Sequence, residues 1–250
     1  MNAQESQSRS DNVRAGRNSG SKGVKRVQTA GSAGLTLDSI SLKGLPQGTI
    51  VGHFRMREKV RRLIWNMVQA TLFRFSPRRA DRWRAFLLRL FGAKVGQVEL
   101  LRNTVRVEVP WNLDIGDHVQ LGDAVYLYSL GPITIGDRSI VSQFVHVCAG
   151  THDFERLDFP LVRIPVHIGE DCWIATDTYI APGIRIGDGV VVGARANVVR
   201  DLPQWTVCVG SPAKPVKARR LVDTDTGETL SPEPDDASAS PTDSRVGQHG

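Results

Sequence analysis

Cysteine is scarce in this 250-residue chain: Cys148, Cys172 and Cys208 are odd in number and show no CxxC spacing. That excludes a disulfide framework and a thiolate zinc site. Long apolar runs are missing as well, since charge interrupts every stretch well short of the roughly 18 residues a spanning helix needs. The N-terminus is polar and rich in Ser, Gly and Arg, with no hydrophobic core for a secretory signal. Aromatics make up only 6% of residues, yet 40% are hydrophobic, too many for a chain disordered throughout. These absences point to one cytoplasmic domain with tails.

Acidic residues are nearly absent from one segment. Residues 51–94 carry twelve Lys and Arg against Glu58 and Asp81, although the whole chain has a net charge of only +6. From Leu221 onward the balance reverses to acid. Residues 1–50 and 221–250 have no sustained apolar period and read as disordered tails. Between them, Val60, Leu63, Ile64, Met67, Val68, Leu72 and Phe75 recur at helical spacing until Pro77. Trp83, Phe86, Leu87, Leu90 and Phe91 repeat the pattern until Gly92. The expectation is two basic amphipathic helices over 51–94 whose apolar stripe packs on the rest of the fold. Contact of 55–91 with the inner face of a membrane is a second use of such helices. No zinc-finger or RNA-binding signature accompanies the basic run, so nucleic acid is not the expected partner.

An internal repeat sets the architecture. Aliphatic residues fall every sixth position: Val95, Leu101 and Val107; Ile115, Leu121 and Leu127; Ile135, Val141 and Val147; then Ile168 through Ile174, Ile180, Ile186 and Val192 to Val198. Three hexapeptides make one triangular coil, so 95–220 holds five. The residue after the first aliphatic of each coil is Gly96, Gly116, Gly136, Gly169 or Gly187. Such a glycine suits a corner needing positive φ or close backbone approach. The fold class is therefore mainly β, a parallel β-helix, with the helices covering its first coil and Pro203, Pro212 and Pro215 closing its last. Extra residues enter after the third hexapeptide of the first three coils, near Pro110–Trp111, near Gly131–Pro132, and over Asp153–His167. All leave from one edge of the prism, and a wall along one edge makes a pocket.

Over 95–220 this pattern resembles the hexapeptide-repeat acetyltransferases, and within them the colanic acid biosynthesis acetyltransferases. The likeness extends upstream through Leu63-Ile64-Trp65-Asn66 and the run Arg82 to Ala93. It continues in Pro110-Trp111-Asn112-Leu113, Thr151-His152-Asp153 and Gly210-Ser211-Pro212-Ala213-Lys214. The resemblance implies a left-handed coil, a homotrimer with sites between subunits, and acetyl-CoA as co-substrate without a metal. It places the catalytic base at His152, consistent with the proton transfer an imidazole can perform. Asp153 or Glu155 is the candidate to orient that ring. Trp173, Ala175, Thr176, Gly193, Ala194, Val199, Arg200 and Lys217 are the coenzyme candidates by position, with Arg195 and Lys214 adding charge for phosphates. Asp153, Tyr128 and Ser129 are the acceptor candidates. The implied reaction is O-acetylation of a sugar in a surface polysaccharide or its lipid-linked precursor. The pocket Asn of the maltose and galactoside relatives aligns near Gly122–Ala124, where no amide is offered. Two alternatives are a non-enzymatic trimeric scaffold and a gamma-carbonic-anhydrase-like zinc protein drawing on His118, His146, His152 and His167. The six-residue separation of His146 and His152 disfavours the second.

Overall fold

An aliphatic side chain at every sixth position has to point inward on each of three successive short strands, and the chain coils accordingly. The computed structural model describes residues 47–52, 54–222 and 226. Nearly all of both expected tails lies outside the described residues.

Three parallel sheets form a triangular prism. One face stacks Lys94–Val95, Leu113–Ile115, Ile133–Ile135, Val166–Ile168 and Arg185–Ile186. The second stacks Leu100–Leu101, Gln120–Leu121, Ile140–Val141, Trp173–Ile174, Val191–Val192 and Thr206–Val209. The third stacks Arg106–Val107, Tyr126–Tyr128, His146–Cys148, Tyr179–Ile180 and Asn197–Val198. The repeat aliphatics pair level with level, for example Leu127 with Val147 and Val147 with Ile180, and they fill the core. The rod also extends past the five coils expected. Leu202 bridges to Ile186, and Cys208 pairs with Val192, so both occupy interior slots of a sixth turn. The repeat breaks after Val198 because Leu202 comes only four residues later, and the slot six residues beyond it is filled by the buried thiol of Cys208 as a small hydrophobe. Lys214–Ala218 then folds back antiparallel on Thr206–Val209 and ends the stack.

The corner glycines are selected by close approach, not by positive φ. A Cβ on Gly136 would stand 2.6 Å from the Glu170 amide nitrogen and from the Gly169 carbonyl carbon, both in the next coil. At Gly116 it would strike the carboxylate of Asp137, whose Oδ1 accepts the Asp117 N–H at 2.8 Å. The left-handed residues come two positions later, at His118, Arg138 and Asp171.

Helix α1 (Met56–Val68) runs into a π turn (Gln69–Phe73), and α2 (Asp81–Leu90) follows. They cover the first coil as expected, but only part of the stripe packs inward: Leu87 is buried, and Val68 and Phe91 pack against the core. Val60, Leu63, Ile64, Met67, Leu72 and Phe75 are exposed. The first coil explains this, because its strands have no neighbour on one side and their backbone groups need partners. The helices supply them. Trp65 Nε1 donates to the Val107 carbonyl at 2.7 Å, and Gln69 Oε1 accepts the Val107 N–H at 2.7 Å. Asp81 accepts the Leu101 N–H at 2.8 Å, Arg84 donates to the Leu101 carbonyl, and Arg89 donates to the Val95 carbonyl at 2.7 Å. Each prism face is thus sealed by a polar-tipped side chain. Trp65, Phe73, Leu87 and Leu88 fill the same inward side, so the remaining aliphatics of the stripe face away.

Candidate functional site

The three insertions do stand above one another on a single edge. Pro110–Asn112 forms a short 3-10 turn, and the Asn112 amide donates to the Ser129 and Leu130 carbonyls at 2.9 and 2.7 Å. Gly131 sits one level up, where an added Cβ would lie 2.7 Å from the Ala149 carbonyl and 2.9 Å from the Ile164 nitrogen. Above it the long insertion forms its own small antiparallel sheet. Thr151–His152 pairs with Leu161–Arg163, which pairs with Ile50–Val51. The N-terminal tail reading therefore ends too late, because Ile50 already belongs to this wall.

His152 is exposed on that edge. Its Nδ1 lies 2.7 Å from the Phe159 carbonyl oxygen. A carbonyl only accepts, so Nδ1 carries the hydrogen and the neutral ring keeps its lone pair on Nε2. The hydrogen-bond partner of the ring is this main-chain oxygen and not Asp153 or Glu155. Asp153 is buried, its Oδ1 accepting the Glu155 N–H at 3.1 Å and its own N–H donating to the Pro160 carbonyl. The Asp153 carboxylate is thus engaged by the backbone of its own hairpin. Sequence reasoning missed Phe159, for a main-chain oxygen leaves no mark in residue identity.

The other acceptor candidates divide. Ser129 is fully buried, and its hydroxyl exchanges hydrogen bonds with the Val109 N–H and carbonyl at 2.9 and 3.0 Å. It staples two coils and is not on the surface. Tyr128 is half-buried on the third face, in edge contact with Tyr126 and His146. Burial, then nearby Cys148 and Glu108, pushes its phenol up, so it stays protonated. Tyr126 donates to Glu108 at 2.7 Å, and Arg62 and Arg106 pair with the same carboxylate. Burial alone would raise Glu108, but these partners overcome it and hold the carboxyl below its ordinary value. His146 stacks on Tyr126 at 4.8 Å, and burial lowers its pKa, so the ring is neutral.

The coenzyme candidates do not converge within the chain. Ala175 and Thr176 follow Trp173–Ile174, and Gly193 and Ala194 follow Val191–Val192, so all four share one corner at successive levels. Val199 and Arg200 follow Asn197–Val198, at the edge that carries the His152 loop two coils away. Trp173 lies exposed across the second face with Nε1 donating to Ser142 Oγ at 3.1 Å. Lys217 pairs with Val207 on the terminal antiparallel strand, and Lys214 with Val209. Arg195 is committed to Asp177 at 3.3 Å. Among the described residues no group of three or more His, Cys, Asp and Glu is placed to hold a metal ion, so the four histidines do not assemble the zinc alternative.

Comparison with known proteins agrees with this geometry. Residues 165–200 match the bacterial transferase hexapeptide (six repeats) family. The provisionally named colanic acid biosynthesis acetyltransferase WcaF of Escherichia coli is 48% identical over 166 residues, 66% of this chain and 91% of that protein. Among solved structures, a maltose O-acetyltransferase from Clostridium difficile is 25% identical with a TM-score of 0.58, covering 66% of this chain and 89% of that one. A hexapeptide-repeat acetyltransferase from Vibrio cholerae, 24% identical with a TM-score of 0.61 over 67% of this chain and 95% of that one, shares the fold. The chain thus belongs to the hexapeptide-repeat acetyltransferases as a WcaF-like member, an acyltransferase that draws on acetyl-CoA.

Proposed function

We propose that the chain transfers acetyl from acetyl-CoA to a hydroxyl of a sugar in a surface polysaccharide or its lipid-linked precursor, with His152 as general base. The observation that carries this is the Nδ1 contact to Phe159, which leaves the Nε2 lone pair as the proton acceptor of an exposed ring on the walled edge. His152 takes the hydroxyl proton while the oxygen forms its bond to the thioester carbonyl carbon, giving a tetrahedral oxyanion. Collapse breaks the carbon–sulfur bond, and the imidazolium returns its proton to the departing thiolate. Products are the sugar acetate ester and free coenzyme A, and the ring is reset. The Phe159 carbonyl stabilises the transient imidazolium through the same hydrogen bond.

The acceptor assignment is supported by the likeness to WcaF, whose name places that protein in colanic acid biosynthesis. The trimer is supported by the scatter of the coenzyme candidates over a corner and two faces, which a neighbouring prism would bring together. In this reading Ala175, Thr176, Gly193 and Ala194 form a smooth corner for the pantetheine arm. Trp173, Val199, Arg200 and Lys217 contact the rest of the coenzyme, and Tyr128 faces the acceptor. The test is steady-state acetyl transfer with His152→Ala. Turnover is expected to fall about 10²–10⁴-fold while coenzyme A binding is retained. Unchanged turnover removes His152 from the chemistry. Mass spectrometry of cell glycans with and without the protein reads the acceptor as a missing acetyl group.

A further inference from the structure

We propose that the outer face of α1 and α2 docks on an anionic phospholipid surface. The inference stands independently of which hydroxyl is acetylated. The face exists because the inward sides of both helices are spent on sealing the first coil. Leu63 is 62% exposed and Phe75 83% exposed, and Met67, Leu72, Trp83 and Phe86 are exposed beside them. Side chains of this kind seldom stand together on a surface that meets only water.

The patch is continuous across both helices. Trp83 Nε1 donates to the Leu72 carbonyl at 3.2 Å, and the Trp83 ring stacks on Phe86 at 5.7 Å. Leu72, Phe75, Pro77 and Trp83 also line an apolar recess of about 500 Å³, open to the outside, which suits part of an acyl chain.

Charge selects the occupant. Both acids of the segment are turned away from this face. Glu58 accepts the Arg55 N–H at 2.8 Å and pairs with Arg163, while Asp81 pairs with buried Arg84. Arg57, Lys59, Arg74, Arg79 and Arg82 are exposed and have no ion-pair partner among the described residues. An apolar stripe bordered by uncompensated cations complements acyl chains beneath anionic headgroups. A second copy of this chain would bring the same cations against one another. Among the described residues no helix is long and apolar enough to cross a bilayer, so the contact is interfacial.

The test is vesicle flotation of the full-length protein at about 0.15 M salt. Vesicles of phosphatidylcholine alone are compared with phosphatidylcholine mixed with phosphatidylglycerol. Binding is expected to the mixed vesicles and about tenfold weaker to phosphatidylcholine alone. A Leu63→Asp, Phe75→Asp double variant should lose at least about tenfold in binding while keeping its melting temperature and its acetyl transfer to a soluble acceptor. An Arg79→Glu, Arg82→Glu variant should lose binding to the mixed vesicles selectively. Equal retention on both vesicle types, or undiminished binding by the variants, overturns the proposal. So does a change of oligomeric state in the double variant without lipid, which would assign the face to a second copy.

Discussion

Replacing Arg84 by Met tests whether the helices are locked to the rod through polar caps. Arg84 is 0% exposed and makes five hydrogen bonds. Its Nε reaches the Leu101 carbonyl, Nη1 reaches Ser76 Oγ and the Pro77 carbonyl, and Nη2 reaches the Arg78 carbonyl and Asp81. Met keeps an unbranched apolar stem like that of arginine, stops short of the guanidinium and deletes every donor. Three carbonyls and a carboxylate then face a thioether. Each buried acceptor left unpaired costs about 1–3 kcal/mol, and breaking a buried ion pair from one side costs about 3–5 kcal/mol. The bonds to the Pro77 and Arg78 carbonyls and to Asp81 are only part-buried, and Asp81 keeps its bond from the Leu101 N–H, so these costs do not add in full and the total is about 3–5 kcal/mol. For a domain of this size about 2–4 °C is lost per kcal/mol, giving a fall of about 6–20 °C in Tm by calorimetry or circular dichroism. Arg84→Lys should recover less than half of it, since one ammonium cannot span the bonds that the guanidinium fork makes. A fall below about 3 °C for Arg84→Met would refute the reasoning.

Glu108→Gln should cost about 1–3 kcal/mol at neutral pH, the worth of hydrogen bonds to a charged group. Partners hold this carboxyl below its ordinary value in the folded chain. Its stabilisation is therefore full above the unfolded value near 4.3 and disappears as pH falls through the lowered folded value. Urea titrations of both proteins should converge in acid, and a gap that widens there would contradict the assignment. Gly136→Ala should destabilise by about 1–3 kcal/mol or more, since the new methyl meets backbone of the next coil. Gly150→Ala should cost less, because its nearest neighbour is the flexible Leu130 side chain at 3.0 Å, and equal losses in thermal melts would refute the distinction. Burial pushes the Cys172 thiol up to about 11, and Cys148 and Cys208 are buried too. Iodoacetamide at neutral pH should label none of the three in native protein and all three after denaturation, as read by mass.

Much of the fold was legible because the prism imposes a period on the residues themselves. Leu101, Leu121 and Val141 had to be aliphatic to fill one interior line, and Gly116 and Gly136 had to lack a side chain where coils touch. The edge that carries the insertions followed from counting residues between repeats. The sixth turn did not, since Leu202 falls out of step with Val198 and the next interior slot holds Cys208 in place of an aliphatic. The helices were legible as helices, but their orientation was not. Periodicity shows that two faces differ in polarity. It does not show that the Leu101 and Val107 backbone would draw Trp65, Gln69, Asp81 and Arg84 inward and leave Leu63, Met67 and Leu72 outside. At the edge, Thr151-His152 drew attention through likeness, whereas the Ser129 staple and the Phe159 carbonyl depend on contacts between residues distant in the repeat.

The hydrogen bond at Phe159 has a consequence for how such a protein changes over generations. An amide oxygen is present at position 159 whichever amino acid the gene specifies, so the tether on His152 is indifferent to mutation there so long as the hairpin keeps its course. Phe154 and Leu157, exposed on the same insertion, are free to be exchanged without detuning the ring. Selection can thus alter the exposed side chains of the loop while the tether on the His152 ring is inherited unchanged.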